Sequence, residues 1–236
     1  MISSMSIKNK VTNGFTYIDR GKEKDLLLVP GWATDYRVFT NIAVEYNYLI
    51  AIEPMLYDFK ENLLMVLSQN KIKKISLFGW SLGGYLVSDF ACKCTEFVDK
   101  LILVGIRDSY DYEQINQIKD YLKKNKRAYL YKFYMSCFYN KDILSWFKKN
   151  LLKEYCELLT LDWLLTTLDY LAGASIDTDN LKNVVHVDFI HGEYDRIAPI
   201  EEARLVQSRL NNSAFFTIKD TGHAPFLEKE VPSKIW

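Results

Sequence analysis

Cysteine, histidine, proline and glycine are all scarce in this 236-residue chain, with four, three, five and ten residues. Two of the cysteines, Cys92 and Cys94, are separated by one residue. That is too close for an ordinary disulfide and lacks the paired C-x-x-C spacing of a zinc site, so these two, Cys137 and Cys156 read as reduced thiols. No window approaches the roughly eighteen apolar residues of a membrane span, and the opening Met-Ile-Ser-Ser-Met-Ser-Ile-Lys has no apolar stretch resembling a secretory signal. A soluble, cytoplasmic protein is the expectation. Net charge is missing too: 30 Lys+Arg stand against 30 Asp+Glu. This excludes a global electrostatic attraction to nucleic acid or anionic membrane, though not a local patch.

Apolar material is plentiful, 49% hydrophobic and 14% aromatic, enough for one well-filled core. Short runs rich in Leu, Ile, Val and Phe recur at 15–19, 25–29, 48–52, 74–78, 101–104, 184–190 and 214–218. Being apolar on both faces, they suit central strands of a parallel sheet covered by helices. Helices fit between most of them, as at 58–70 and 82–92, and the alternation predicts an α/β layer architecture. From about 107 to 180 the rhythm changes, and apolar residues at three- and four-residue spacing predict helices over 114–124, 127–138, 143–159 and 161–171. The expected organisation is a core of 1–106 and 181–236 with a helical insertion at 107–180. No linker or repeat divides the chain.

The strongest chemical signal is Gly79-Trp80-Ser81-Leu82-Gly83, a G-x-S-x-G sequence after an apolar strand and before an amphipathic helix. A sharp strand-to-helix turn lifts the serine above the sheet edge, and side chains at the flanking glycines would collide. Serine is a poor nucleophile at neutral pH and needs a base held in one tautomer by a carboxylate. His223, in the loop Lys219-Asp-Thr-Gly-His-Ala-Pro-Phe after the last strand, is the candidate base. His186 falls inside an apolar run, and His191 at its end reads as packing or turn chemistry. Asp195, one turn past the strand ending at Ile190-His191, is the candidate acid, with Glu193 and Asp220 as competitors. Acyl transfer also needs two donors for a tetrahedral oxyanion. Leu82 N–H follows the nucleophile, and Trp32 N–H, after Gly31 in Val29-Pro-Gly-Trp, is the second candidate. The chemistry calls for neither metal nor cofactor.

The order Ser81, Asp195, His223, with Val29-Pro-Gly-Trp, Phe78-Gly-Trp-Ser-Leu-Gly-Gly and Gly222-His-Ala-Pro-Phe, resembles the α/β-hydrolase superfamily. Within it the chain is similar to the biotin-pathway carboxylesterases that hydrolyse pimeloyl-acyl-carrier-protein methyl ester. The resemblance implies an α/β-hydrolase fold: a mostly parallel sheet, helices on both faces, and a helical cap over the acyl pocket. It implies Ser81, His223 and Asp195 as nucleophile, base and orienting acid, and Trp32 with Leu82 around the oxyanion. It also implies an acyl-contacting segment near Phe133-Tyr-Met-Ser-Cys137. The chain departs from that pattern at Pro30, where a histidine is usual, in the segment Ile52-Glu-Pro-Met-Leu-Tyr-Asp-Phe, and in an expected short final helix.

An acyl-ester hydrolase, a short-chain esterase or thioesterase, a carbon–carbon bond hydrolase or lyase, and a non-catalytic ligand-binding relative all remain open on this sequence. Tyr129, Phe133, Phe138, Trp146 and Trp163 are either pocket lining or ordinary core. Zero net charge also conceals an asymmetry. From Lys119 to Lys153 ten basic residues face two acidic ones, leaving the rest of the chain acidic by the same margin. Lys123, Lys124, Lys126 and Arg127 in this stretch are either a solvated helix face or a docking patch for an acidic acyl carrier protein.

Overall fold

A computed structural model describes residues 11–184, 186–231 and 235–236. The N-terminal octapeptide read above, and Val185 within the expected run 184–190, lie outside the described residues. Each expected run contributes to a strand: β1 (Phe15–Ile18), β2 (Asp25–Val29), β3 (Asn47–Ala51), β4 (Ile75–Trp80), β5 (Val98–Val104), β6 (Val187–Gly192) and β7 (Ser213–Ile218). They form one sheet in the order β1-β3-β2-β4-β5-β6-β7, parallel throughout except where β1 meets β3. β3 and β4 are buried at every position, as expected of strands covered on both faces.

Helices follow in chain order as α1 (Phe59–Gln69), α2 (Leu82–Lys93), α3 (Tyr112–Cys137), α4 (Lys141–Phe147), α5 (Lys153–Leu158), α6 (Leu161–Gly173), α7 (Thr178–Leu181), α8 (Ile200–Gln207) and α9 (Pro225–Glu228). The break expected between 124 and 127 is present inside α3: Asn125 leaves helical geometry (φ −161°, ψ 87°) and its side chain accepts from Ala128 N at 2.9 Å, capping the second half. The single helix expected over 143–159 is α4 and α5, joined by a wider turn at Lys148–Leu152. Between β5 and β6 the described residues form helices and loops, with an isolated bridge of Ser109 to Ser175 in place of a strand.

Two boundaries differ for identifiable reasons. β4 continues past Phe78 because Gly79 still pairs with Val29 and Leu103, and Trp80 with Val104. β6 starts after Val184, whose N–H is used by Leu181 O in the turn after α7. His186 therefore precedes the strand rather than lying inside it, and its Nε2 contacts Asp188 at 2.8 Å, away from Ser81's end of the sheet. Among the described residues no helix is long and apolar enough to cross a membrane.

Candidate active site

Open parallel sheets bind ligands beyond the carboxyl ends of their strands, where the strand order reverses. Here that edge carries Trp32 after β2, Ser81 after β4, Tyr110 after β5, Asp195 after β6 and His223 after β7. Ser81 sits at φ 52°, ψ −118°, a left-handed conformation that costs a non-glycine residue strain. The turn is fixed on both sides. Ser81 N donates to Val104 O at 2.8 Å, and Gly84 N to Ser81 O at 2.8 Å. A Cβ at Gly79 would lie 2.4 Å from Val87 Cγ2, and one at Gly83 2.4 Å from Val29 O, so the elbow closes only with glycine at both positions.

His223 and Asp195 meet across this edge. His223 Nδ1 is 2.8 Å from Asp195 Oδ2, and the side chains are 1% and 0% exposed. Asp195 Oδ1 accepts from Ile197 N (2.8 Å) and Ala198 N (2.9 Å), which fixes the carboxylate in its loop. Burial pushes the Asp195 carboxyl up, but His223's charge and hydrogen bond, His191 and the Ala198 N–H outweigh it and hold the group below the usual carboxylate range. His191 takes a part the sequence did not reveal. Its Nε2 lies 2.7 Å from Ala198 O and 3.3 Å from Asp195 Oδ2, so it braces the acid loop from below, and burial holds its pKa below the ordinary value. Of the competitors, Glu193 accepts from Asp220 N at 3.2 Å and Asp220 pairs with Lys229 at 3.1 Å; neither pairs with His223.

Ser81 is 5% exposed, and the buried Nε2 of His223 makes no hydrogen bond among the described residues. The serine–histidine contact is thus open, as catalytic hydrogen bonds often are before a substrate binds. Leu82 is the first residue of α2, so its N–H has no partner within the helix and points with the positive end of the helix toward the serine. The loop after β2 presses against the elbow: a Cβ on Gly31 would be 3.2 Å from Ser81 Cβ, and Trp32 follows directly.

Ser81 opens into a cavity of about 320 Å³ whose lining includes Trp32, Tyr110, Tyr129, Phe133, Leu168 and Arg196. The Trp32 indole is 5% exposed, donates from Nε1 to Thr167 Oγ1 at 2.9 Å, and meets the Phe133 ring edge-on at 4.8 Å. It therefore fills space and shapes the cavity at once. Tyr134 donates its hydroxyl to Ala33 O, and Tyr155 to Asp35 Oδ1 at 2.8 Å, so helices α3, α5 and α6 all grip the loop after β2. Of the five aromatic candidates, Tyr129 and Phe133 line the cavity. Phe138 instead packs on Phe147 at 4.9 Å, and Trp146 and Trp163 are not in the lining. A larger hollow of about 800 Å³, between 41–46 and 226–231, contains none of Ser81, Asp195 and His223. Lys123, Lys124 and Arg127 are exposed, whereas Lys126 donates to Leu159 O at 2.5 Å and caps the end of α5.

Fold and geometry together define an α/β-hydrolase fold with a serine at the elbow, and a histidine–aspartate pair over the same sheet edge. In sequence the chain is 25% identical over 244 residues to the pimeloyl-[acyl-carrier protein] methyl ester esterase of Aliivibrio fischeri strain MJ11, covering 92% of this chain and 93% of that protein. The enzyme of the same name from Nitrosomonas europaea is 23% identical over 239 residues, covering 88% and 91%. Among solved structures, the esterase EaEST of Exiguobacterium antarcticum superposes with a TM-score of 0.74 at 18% identity, covering 90% of each chain. The 2-hydroxy-6-oxo-6-phenylhexa-2,4-dienoate hydrolase of Rhodococcus sp. strain RHA1 superposes with 0.71 at 15% identity, covering 91% and 89%. No family model matches the chain.

Proposed function

We propose that this protein is a serine carboxylic ester hydrolase acting through an acyl-serine intermediate. The observation that carries the reading is the buried His223–Asp195 pair, fixed over the same sheet edge as the strained Ser81 elbow. Likeness to methyl ester esterases across about nine-tenths of both chains supports it. In the proposed cycle Ser81 Oγ attacks the ester carbonyl while its proton passes to His223 Nε2. Asp195 holds the Nδ1–H and stabilises the imidazolium. The Leu82 and Trp32 amides receive the oxyanion, His223 protonates the departing alkoxide, and then it activates water to release the acid.

The finer reading is that the substrate is an acyl methyl ester, specifically the pimeloyl-acyl-carrier-protein methyl ester of biotin synthesis, processed in the cytoplasm. In this reading the helices of 107–180 form a cap, Phe133 touches the acyl chain, and the exposed Lys123, Lys124 and Arg127 receive the acidic carrier; Lys126, bound to backbone carbonyls, contributes only its field. Ser81→Ala is expected to lower hydrolysis of a short-chain nitrophenyl ester about 10⁴-fold or more, and an unchanged rate refutes the mechanism. Turnover of the carrier-bound methyl ester above that of the free methyl ester at low salt, and rescue of a biotin-requiring bacterium lacking its own esterase, test the substrate.

A further inference from the structure

The two oxygens of Asp195 are used differently. Oδ1 accepts from Ile197 N and Ala198 N, whereas Oδ2 faces two imidazoles at once, His223 Nδ1 at 2.8 Å and His191 Nε2 at 3.3 Å. His191 is the penultimate residue of β6 and 1% exposed, with Ala198 and the Asp195 side chain at 0%, so these contacts lie out of solvent. Ala198 O, 2.7 Å from His191 Nε2, settles the tautomer. A carbonyl only accepts, so Nε2 carries the proton. Burial holds the His191 pKa below its ordinary value, and the ring, stacked on Phe215 at 6.2 Å, is a neutral donor with a single N–H. Ala198 therefore closes a small ring of contacts: its N–H goes to Asp195 and its carbonyl receives His191.

We propose that His191 is a positioning residue that tunes the base: its Nε2–H fixes the acid loop through Ala198 O and, lying against Asp195 Oδ2, offsets part of the carboxylate's charge so that His223 stays free to take the Ser81 proton. The inference rests on the ester hydrolase reading. Its sign follows from electrostatics. A carboxylate against Nδ1 favours the imidazolium, and an imidazolium cannot accept a proton from serine. The positive end of a second N–H at the same buried oxygen weakens that pull without displacing the acid. Enough charge remains to fix the tautomer and to stabilise the imidazolium once Ser81 has given up its proton. The other titratable groups around this pair are Arg204 of α8, Glu228 of α9, the Cys137 thiol at the end of α3 and the Tyr110 phenol after β5. None of them donates to Asp195 among the described residues; Arg204 is bound to Thr217, and the Glu228 carboxylate is occupied by backbone N–H groups.

The test compares His191→Leu, which is close in volume but has no donor, with His191→Gln, whose amide N–H reaches about as far as the imidazole Nε2. The acid limb of kcat/KM for a nitrophenyl ester reports the base of the free enzyme and does not depend on how much of a weakened variant is folded. In His191→Leu that limb is expected to move up by about half a pH unit, because the carboxylate's full charge now acts on the base, with KM within twofold of wild type. His191→Gln should restore the wild-type limb. If the Leu variant does not fold, His191→Asn, polar but too short to reach Ala198 O, should show the same upward shift. A residue that merely fills space or steadies the loop predicts a limb that stays in place, or one that moves down as Asp195 swings away from His223. Either result, or an equal shift in the Gln variant, overturns the proposal and leaves the hydrolase reading intact. A wild-type protein that neither turns over the ester nor is labelled at Ser81 by a fluorophosphonate overturns both.

Discussion

The sheet edge contributes Ser81, Asp195 and His223, each at most 5% exposed and each pinned by backbone hydrogen bonds or an unusual backbone conformation; the helices between β5 and β6 contribute Tyr129, Phe133 and Tyr121, the last 60% exposed. Both regions line one cavity, yet their precision has different origins. At the sheet edge, backbone constraints set the positions: glycine where a Cβ would lie 2.4 Å from a neighbour, and a serine forced to positive φ. In the helical region ring-on-ring packing does the work, such as Tyr134 on Phe147 at 5.0 Å and Trp32 on Phe133 at 4.8 Å. Packing of this kind tolerates volume-conserving change far better than a backbone turn does. Under the proposed function, chemistry falls to the rigid region and acyl preference to the tolerant one.

The comparison breaks first at Asp195. Asp195→Asn retains the shape and removes the charge that fixes the His223 tautomer, so kcat is expected to fall about 10⁴-fold with acyl-chain preference unchanged. A preference that shifted with it would mean the two regions do not divide the work. The same variant carries a pH signature. Because the folded Asp195 pKa lies below the ordinary value, its ionised form contributes stability above that ordinary value, near pH 4, and this is lost as pH falls through the folded pKa. Wild-type unfolding free energy measured by denaturant titration should therefore drop more steeply below about pH 4 than that of Asp195→Asn.

Glu228 is where the regions are joined. Its buried carboxylate accepts from Gly222 N (2.6 Å), beside His223, and from Tyr139 N (2.8 Å) and Asn140 N (2.5 Å), at the start of α4. Glu228→Ala orphans three donors, and a loss of about 3 kcal/mol is expected, equivalent to roughly 6–12 °C in Tm for a chain of this size. Activity at a temperature where the variant is still folded should also fall, because the His223 loop loses its anchor. A variant with unchanged Tm would indicate that the two regions are held together elsewhere.

How much of this was legible follows the same division. The seven strands, the elbow and the order of Ser81, Asp195 and His223 could be read because sheet burial and sharp turns restrict residue type at nearly every position. The break at Asn125 was legible as a gap in apolar spacing. The Glu228 clamp was not, since it joins loops distant in sequence, nor was the contact of His191 with Asp195, which are only four residues apart but in a segment with no periodic pattern to mark which polar side chain will face which. Phe133 in the cavity and Phe138 outside it are five residues apart on one aromatic-rich stretch; only the rotation of α3 after its kink distinguishes them. Phe133→Leu tests that distinction. It retains an apolar wall but loses the ring pair with Trp32, worth about 0.5–1.5 kcal/mol, so KM for a medium-chain ester should rise roughly three- to tenfold with kcat little changed.

The smallest expected effect concerns the outer face of the helical region. Lys123, Lys124 and Arg127 are exposed near the α3 kink, and no side-chain partner holds them among the described residues, whereas Lys119 is paired with Asp169 and Lys126 with backbone carbonyls. Exposed charges of this kind act on encounter rate more than on bound-state affinity, and their field fades over about 10 Å at 0.1 M salt. Reversing the three to Glu is therefore expected to lower kcat/KM for a carrier-bound methyl ester severalfold at low ionic strength. The deficit should shrink toward 0.5 M salt, while turnover of the free methyl ester stays unchanged. Equal losses on both substrates would place these residues in the pocket's own packing, and no loss on either would leave them a solvated helix face.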